Sequence, residues 1–515
     1  MRRLATAARV IAVAGIAACA ALAPRATAIN APEGTHVSET RMSVITKTRP
    51  LATGFLDPWS FRAPDQAAAF DNARRAGATF VRILLNWPDV APGGSTMPPG
   101  FRPADPGDPR YQWATIDSEV RATAAKGFLP LIYVQGAPSW AQTGEIQRPS
   151  DGPVRPSPSA LADFGSALAT RYSGSNAGLP RVRYWQVWNE PNLSIELMPQ
   201  SEGDRVVSPD WYRDMVNAMA RAVHAVHPDN VVVAGGLAPF GGNSNDPSAS
   251  PFPPYDRIHP LDFMRRMLCM SSGAKPTPTC SEKSEFDVWA HHPYTYGGPT
   301  HSAYHPDDVS IGDLGEVRRL LDAAAASGHI STRQKLAFWV TEFSYDSQPA
   351  DPKGLPPDLH ARWVSEALYR MWQNGVSLVT WFLIRDELPY PQAFFQSGLY
   401  YRGANGIASD KPKPALRAFR FPFVAFKQKN GAITYWGRTP LGKKQALVVE
   451  QKQGSRWARL VTPTVDRYGI FQGRVTNAKG TGSLRARLVS RSDVSLPFSL
   501  TVPADFRFCP WGSGC

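Results

Sequence analysis

The sequence predicts a (β/α)8 TIM barrel followed by a small, sandwich-like all-β domain. Three observations carry that reading. From about Leu51 to Pro422, short β-rich runs alternate with amphipathic helical stretches, the pattern of parallel strands joined by helical crossovers. The alternation reaches eight strands, and the glycine-rich phosphate turn that follows the first strand of an open doubly wound sheet is missing. After Phe423 the helical period stops, and β-rich runs separated by Gly-rich turns take over.

The elements follow in order. Gly54, Phe55 and Leu56 form a weak first strand, and Ala67, Phe70 and Ala73 give the next helix an apolar face. Residues 80–85 are a strong second strand, interrupted only by Arg82. Ile116, Val120 and Ala124 lie four apart and line one side of a helix. Residues 129–134 make the third strand, and Leu161, Phe164, Leu168 and Tyr172 the third helix. Residues 182–188 make the fourth strand, and Met215, Met219 and Val223 share a helix face. Strands at 231–234, 286–290, 336–340 and 378–383 alternate with helices at 261–270, 314–326 and 361–372. Strands at 433–436, 446–449, 457–461 and 484–489 make up the C-terminal domain. Two Pro- and Gly-rich loops, 92–112 and 241–259, follow predicted strands. In a barrel both sit at the mouth, where loops this long contact substrate rather than decorate the surface.

The chain has 515 residues, 43% hydrophobic and 19% charged, which supports a large core and excludes a disordered chain. Its 48 Pro and 41 Gly fit long rigid loops. Arg2, Arg3 and Arg9 precede an apolar run over 10–23, and Ala26-Thr27-Ala28 supplies a cleavage site. This layout predicts a secretory signal peptide over 1–28, a barrel domain over 29–425 and a β domain over 426–515. The run is short of the ~20 residues that span a bilayer. Ile16-Ala17-Ala18-Cys19 also resembles a lipoprotein box, with Cys19 as the lipidated residue. No later segment is apolar and long enough to cross a membrane, so the chain is expected outside the cytoplasm. There the natural cysteine pairs are Cys269 with Cys280 and Cys509 with Cys515; zinc binding is the weaker alternative. The formal charge is +13, yet from Phe426 onward 15 Lys and Arg face only 4 Asp and Glu. A basic tail on a near-neutral body is expected to meet an anionic cell-wall polymer or polysaccharide rather than nucleic acid; plain solubility is the other reading.

The chemistry concentrates at strand ends. Trp188-Asn189-Glu190-Pro191-Asn192 closes the fourth strand, and Thr341-Glu342-Phe343 the seventh. In a closed barrel these two strands lie across the mouth from each other. Two carboxylates facing one cleft are what glycosidic bond cleavage requires: one protonates the leaving oxygen, the other attacks the anomeric carbon. On these motifs the chain resembles a glycoside hydrolase of clan A, over roughly Gly54 to Ala425. Ala137-Pro138-Ser139-Trp140 and the run from Trp185 to Pro191 look most like family 39 and its cellulase-like neighbours.

The resemblance implies a retaining enzyme with Glu190 as acid/base and Glu342 as nucleophile, their carboxyls about 5–5.5 Å apart. It implies that Arg82 holds the nucleophile ionised, although an ion pair elsewhere in the barrel would also satisfy a buried guanidinium. It places His292 and Tyr294 beside the carboxylates, with the Tyr294 hydroxyl on Glu342, and Asn189 on the sugar 2-hydroxyl. A metal site at His291 and His292 is disfavoured, because neighbours on a strand point opposite ways. Trp381 is expected as the floor of a sugar subsite, and Trp87 and Trp140 as linings of outer ones, with core packing as the alternative for all three. No cofactor or metal is implied. The expected activity is hydrolysis of a β-linked oligo- or polysaccharide. A transglycosylase using the same intermediate and a non-catalytic glycan-binding barrel are the alternatives.

Overall fold

The computed structural model describes residues 48–144, 151–176, 178–242, 256–389, 391–476, 482–504, 506 and 508–510. The signal segment, Cys19, Cys515 and residues 243–255 of the second long loop lie outside the described residues. Among the described residues no helix is long and apolar enough to cross a membrane.

Eight parallel strands close into a barrel: β1 (Ala52–Leu56), β2 (Phe80–Asn86), β3 (Leu129–Gln135), β4 (Tyr184–Val187), β5 (Val231–Leu237), β6 (Val288–His291), β7 (Ala337–Phe343) and β8 (Val376–Phe382). Each pairs with its successor, and β8 closes on β1 with Phe55 opposite Trp381. The helices are α1 (Gln66–Arg75), α2 (Ala114–Ala125), α3 (Pro158–Arg171), α4 (Ser208–Val226), α5 (Pro260–Met267), α6 (Leu314–Ala326), α7 (Pro357–Gln373) and α8 (Pro414–Arg420). The fold is therefore the (β/α)8 barrel that the alternating pattern predicts. Proline in the first turn starts α3, α4, α5, α7 and α8, where its missing N–H costs no hydrogen bond. Ser157 caps α3 by accepting the Ala160 N–H at 3.2 Å. The predicted face of α4 is real: Met215, Met219 and Val223 are all fully buried.

The barrel interior has two zones. At the base, Phe80, Leu131, Val231, Val233, Val288, Ala290, Trp339 and Leu378 make a purely apolar plug. One turn higher the inward positions become polar, beginning with Arg82 and Gln186. The change of character along the same strands sets where chemistry can occur.

Beyond α8 run β9 (Phe423–Lys427), β10 (Ile433–Arg438), β11 (Leu447–Gln453), β12 (Arg456–Val461), β13 (Ile470–Val475), β14 (Ser483–Leu488) and β15 (Phe498–Ser499). They form an antiparallel sheet β9-β10-β13 and another of order β12-β11-β14-β15. This part is bound firmly to the barrel. Trp436 of β10 is fully buried against Tyr369 and Trp372 of α7, both at 5.4 Å between ring centroids. Arg438 reaches the Leu51 carbonyl at 2.7 Å, next to the start of β1. The chain end then returns toward the mouth, where the Gly297 N–H donates to the Phe508 carbonyl at 2.8 Å and the Phe508 ring meets Tyr345 at 5.3 Å. Cys269 and Cys280 form the expected disulfide, with Cα atoms 5.2 Å apart; the second expected pair reaches Cys515, outside the described residues.

Candidate active site

The site begins with Arg82, inward on β2 and 1% exposed. A buried guanidinium needs a partner for every donor direction. Each of the three Arg82 nitrogens has one: Nε donates to Gln186 Oε1 (3.1 Å), Nη1 to Glu342 Oε2 (2.9 Å) and Nη2 to Asn189 Oδ1 (2.8 Å). Its flat face lies over the Tyr133 ring, 3.8 Å from the centroid. One side chain thus fixes β4, β7 and the turn after β4 relative to one another.

Glu190 sits on a strained turn. Trp188 and Glu190 have φ of 68° and 40°, left-handed values that side chains other than glycine rarely adopt, each costing about 1–3 kcal/mol. The surroundings hold the turn in place. The Glu190 N–H donates to the Gly236 carbonyl (3.0 Å), the Trp188 indole to the Glu196 carbonyl (2.7 Å) and the Tyr212 hydroxyl of α4 to the Val187 carbonyl (2.7 Å). Gly236 of β5 has to be glycine here: its φ is 63°, and a Cβ would stand 2.6 Å from Gln186 Nε2 and 3.4 Å from His292 Nε2.

Glu342 enters from β7. Pairing between β7 and β8 slips in register between Val340 and Phe343, and Glu342 lies within that irregularity. Its two oxygens are both occupied. Arg82 holds Oε2, and the Tyr294 hydroxyl donates to Oε1 at 3.0 Å. The two donors fix the orientation of the carboxyl from both sides.

Glu190 stands in the opposite condition. Burial pushes its carboxyl up to about 7, with the Arg82 charge opposing the rise. His292 Nδ1 lies 2.9 Å from Glu190 Oε1 and Nε2 lies 3.1 Å from Thr341 Oγ1. Burial drops His292 to about 3, so the imidazole is neutral at ordinary pH. A neutral imidazole can accept from a protonated Glu190 or donate to an ionised one, so it tolerates both states of a group that gains and loses a proton. His291 turns the other way, to the Val309 carbonyl at 2.9 Å.

Glu190, His292 and Glu342 place ligand atoms within 4.8 Å of one another, close enough for a metal ion. Glu342 is already held by Arg82 and Tyr294, and His292 bridges Glu190 and Thr341. A second group near the mouth, His259, His305 and Asp308, has the same spacing. There the imidazoles stack at 3.6 Å between centroids and 14° between planes, so their in-plane lone pairs run parallel rather than converging on one ion.

The expected residues therefore divide. Arg82, Asn189, Glu190, His292, Tyr294 and Glu342 come together around one cleft. Trp381 does not. It faces outward from β8, packed against Phe419 of α8 and His360 of α7, with its indole N–H on the Ser397 carbonyl at 2.7 Å. The inward position is its neighbour Phe382, which joins Leu56, Leu84, Tyr133, Leu383 and Phe395 in an apolar wall at the mouth. The strand phase explains the correction, because Leu378 points into the barrel base and Trp381 lies an odd number of residues beyond it. Trp87 is also core, stacked on Phe164 of α3 at 5.1 Å. Trp140 is only partly buried, with its indole on the Pro92 carbonyl at 2.7 Å.

Sequence reading missed Gln186, Tyr133, Thr341, Trp59 and Glu196. Gln186 carried a usable signal, a polar side chain inside an apolar strand like Arg82. Trp59, 38% exposed and edge-on to Phe382 at 6.2 Å, sits in the turn after β1, where no periodicity marks it.

No family model matches the chain, and no curated protein does. Solved structures do resemble it in fold. One is a glucosidase from Croceicoccus marinus, with 16% identity over 81% of this chain and 80% of that one and a TM-score of 0.43. Another is a GH30 endoxylanase from Clostridium papyrosolvens, with 12% identity over 83% and 93% and a TM-score of 0.39. A third is an endo-β-1,4-mannanase from Thermotoga petrophila, with 11% identity over 88% and 98% and a TM-score of 0.38.

Proposed function

We propose that the protein is an exported, retaining glycoside hydrolase of clan A, close to family 39, acting on a β-linked glycan. One observation carries this reading. A carboxylate oxygen of Glu190 and one of Glu342 lie within 4.8 Å of each other, the first group poised near pH 7 and the second held by Arg82 and Tyr294. That proximity of the nearest oxygens favours the short carboxyl spacing of a retaining pair over the ~6.5–9.5 Å of an inverting one.

The mechanism follows from the hydrogen bonds. Glu342 attacks the anomeric carbon, forming a glycosyl ester while the glycosidic C–O bond breaks. Glu190 gives its proton to the departing oxygen. Arg82 and Tyr294 keep the attacking carboxylate aligned. Glu190, now ionised, takes a proton from water, and the resulting hydroxide oxygen bonds to the anomeric carbon as the ester to Glu342 breaks. An acceptor sugar in place of water would give transglycosylation. Asn189 is set to meet the sugar 2-hydroxyl. The Cys269–Cys280 disulfide supports an oxidising compartment, in keeping with a signal peptide.

The test is a panel of aryl β-glycosides and polysaccharides, with Glu342→Ala as the control. Turnover that the variant lacks supports the reading and names the sugar. Turnover that survives in the variant contradicts it. Binding without turnover would favour the non-catalytic barrel.

For the C-terminal domain the reading is contact with an anionic polysaccharide. The outer face of the β12-β11-β14-β15 sheet supports it. There Glu450 pairs in register with Arg459 and Arg485, Lys452 with Trp457, and Val448 with Arg487. Arg485 and Arg487 share Glu450, each at 2.8 Å, so the face keeps an excess of cations.

A further inference from the structure

A third carboxylate stands beside the two catalytic ones. Glu196 follows Glu190 by six residues, in the loop that leaves β4. The loop is tightly folded. The Leu193 N–H donates to the Glu190 carbonyl (2.9 Å), the Glu196 N–H to the Leu193 carbonyl (3.0 Å), and the Trp188 indole fixes the Glu196 carbonyl from below. The Glu196 carboxyl is thus delivered to the site by the same turn that delivers Glu190.

Its bonding is incomplete. Among the described residues its only side-chain hydrogen bond is a long one, from Asn189 Nδ2 at 3.5 Å. The hydrogen bonds of Arg82 go to Gln186, Glu342 and Asn189 rather than to Glu196. Glu190 and Glu342 are 7% and 1% exposed, whereas Glu196 remains partly open. Burial, together with the charges of Glu190 and Glu342, holds its carboxyl well above the usual range. A largely desolvated acceptor with a single distant donor is a costly arrangement unless a ligand supplies more.

We propose that Glu196 is a substrate-binding residue that accepts hydrogen bonds from hydroxyls of the sugar in the cleft and directs the site to neutral glycans over uronates. The proposal rests on the glycosidase reading above. Three carboxyls already crowd around Arg82, whose guanidinium is engaged by Glu342, so an incoming uronate would bring a further carboxylate into that crowd. An ammonium-bearing sugar fails for a different reason. Its charge would lower the Glu190 pKa and strip the acid of its proton at neutral pH. A neutral sugar donates hydroxyls and leaves Glu190 poised.

The experiment uses pairs of aryl β-glycosides that differ only at C6, glucoside against glucuronide and galactoside against galacturonide. They are assayed with the full chain and with Glu196→Ala, Glu196→Gln and Glu342→Ala. The expected result is a preference of about 100-fold in kcat/KM for the neutral member. Glu196→Ala should lose about 10- to 100-fold on that member while its melting temperature stays close to the parent's. Glu196→Gln, which keeps an acceptor and cannot ionise, should recover part of that loss and narrow the preference. Equal or faster cleavage of the uronide by the parent overturns the proposal, as does unchanged kcat/KM on the neutral member in Glu196→Ala. If no pair is cleaved in a Glu342-dependent way, the glycosidase reading itself fails, and this inference with it.

Discussion

The base and the mouth of the barrel are built on the same eight strands and obey opposite rules. At the base the inward residues are Leu, Val, Ala, Phe and Trp, and every one is there to exclude water. At the mouth Arg82, Gln186, Glu190, His292 and Glu342 are buried polar groups, set beside the apolar wall around Phe382. The base lowers the free energy of the fold by about 1.5–3 kcal/mol for each large side chain buried. The mouth spends part of that gain. It holds two left-handed residues, a carboxyl raised to about 7 and an imidazole lowered to about 3. Strain and desolvation of this kind are tolerated where chemistry needs a pre-set arrangement.

The comparison can be broken at its chemical end. Glu342→Ala should lower kcat/KM by roughly 10⁴-fold or more, because no other group can form the glycosyl ester. The variant also leaves the buried Arg82 guanidinium without its carboxylate, so a loss of stability accompanies the loss of activity, and thermal melting beside the activity assay separates the two. Arg82→Ala comes next. It should damage both properties, costing about 3–5 kcal/mol as Glu342 is left buried without its cation. Chemical denaturation measures that loss, and near-parental stability would show that Arg82 is not the strut described here.

At the base the outcome should be the reverse. Leu378→Ala should cost about 2–5 kcal/mol through the cavity it leaves, while kcat per folded molecule stays at the parental value. A parallel fall in kcat would mean that the two zones are not separable. Trp381→Phe belongs with the base by the same logic. It should lower stability and leave KM alone, whereas Trp140→Phe should raise KM with little effect on melting.

The smallest effect is a pH dependence. With Glu190 near 7, kcat/KM should fall as pH rises through that value, because the acid loses its proton. Stability should follow the same direction. A carboxyl whose folded pKa is raised binds its proton more tightly in the folded state, so its contribution is complete below about 4.3 and is lost as pH rises toward 7. Glu190→Gln should therefore raise the melting temperature more at pH 8 than at pH 5.

The two zones also differ in how readable they were. The strand–helix alternation exposed the barrel, and a charged residue inside an apolar strand exposed Arg82. Strand ends exposed Glu190 and Glu342, because carboxylates there face the mouth in any such barrel. Trp381 faces the helices because a shift of one residue reverses a side chain, and in the run 378–383 large apolar residues stand on both faces, Phe382 inward and Trp381 outward. Glu196 left no mark at all. Its position comes from a strained turn and two backbone hydrogen bonds, and neither has a period. Thr341 was hidden for the same reason, inside the register slip between β7 and β8.

The central claim is that Glu342 attacks and Glu190 protonates. The most direct measurement uses the 2-deoxy-2-fluoro version of whichever aryl glycoside the panel identifies, followed by mass spectrometry of the intact protein and its peptides. The account predicts one sugar added per chain, on the peptide carrying Glu342, with release slowed in Glu190→Ala. A sugar found on another residue, or steady turnover of the parent glycoside by Glu342→Ala, would contradict it.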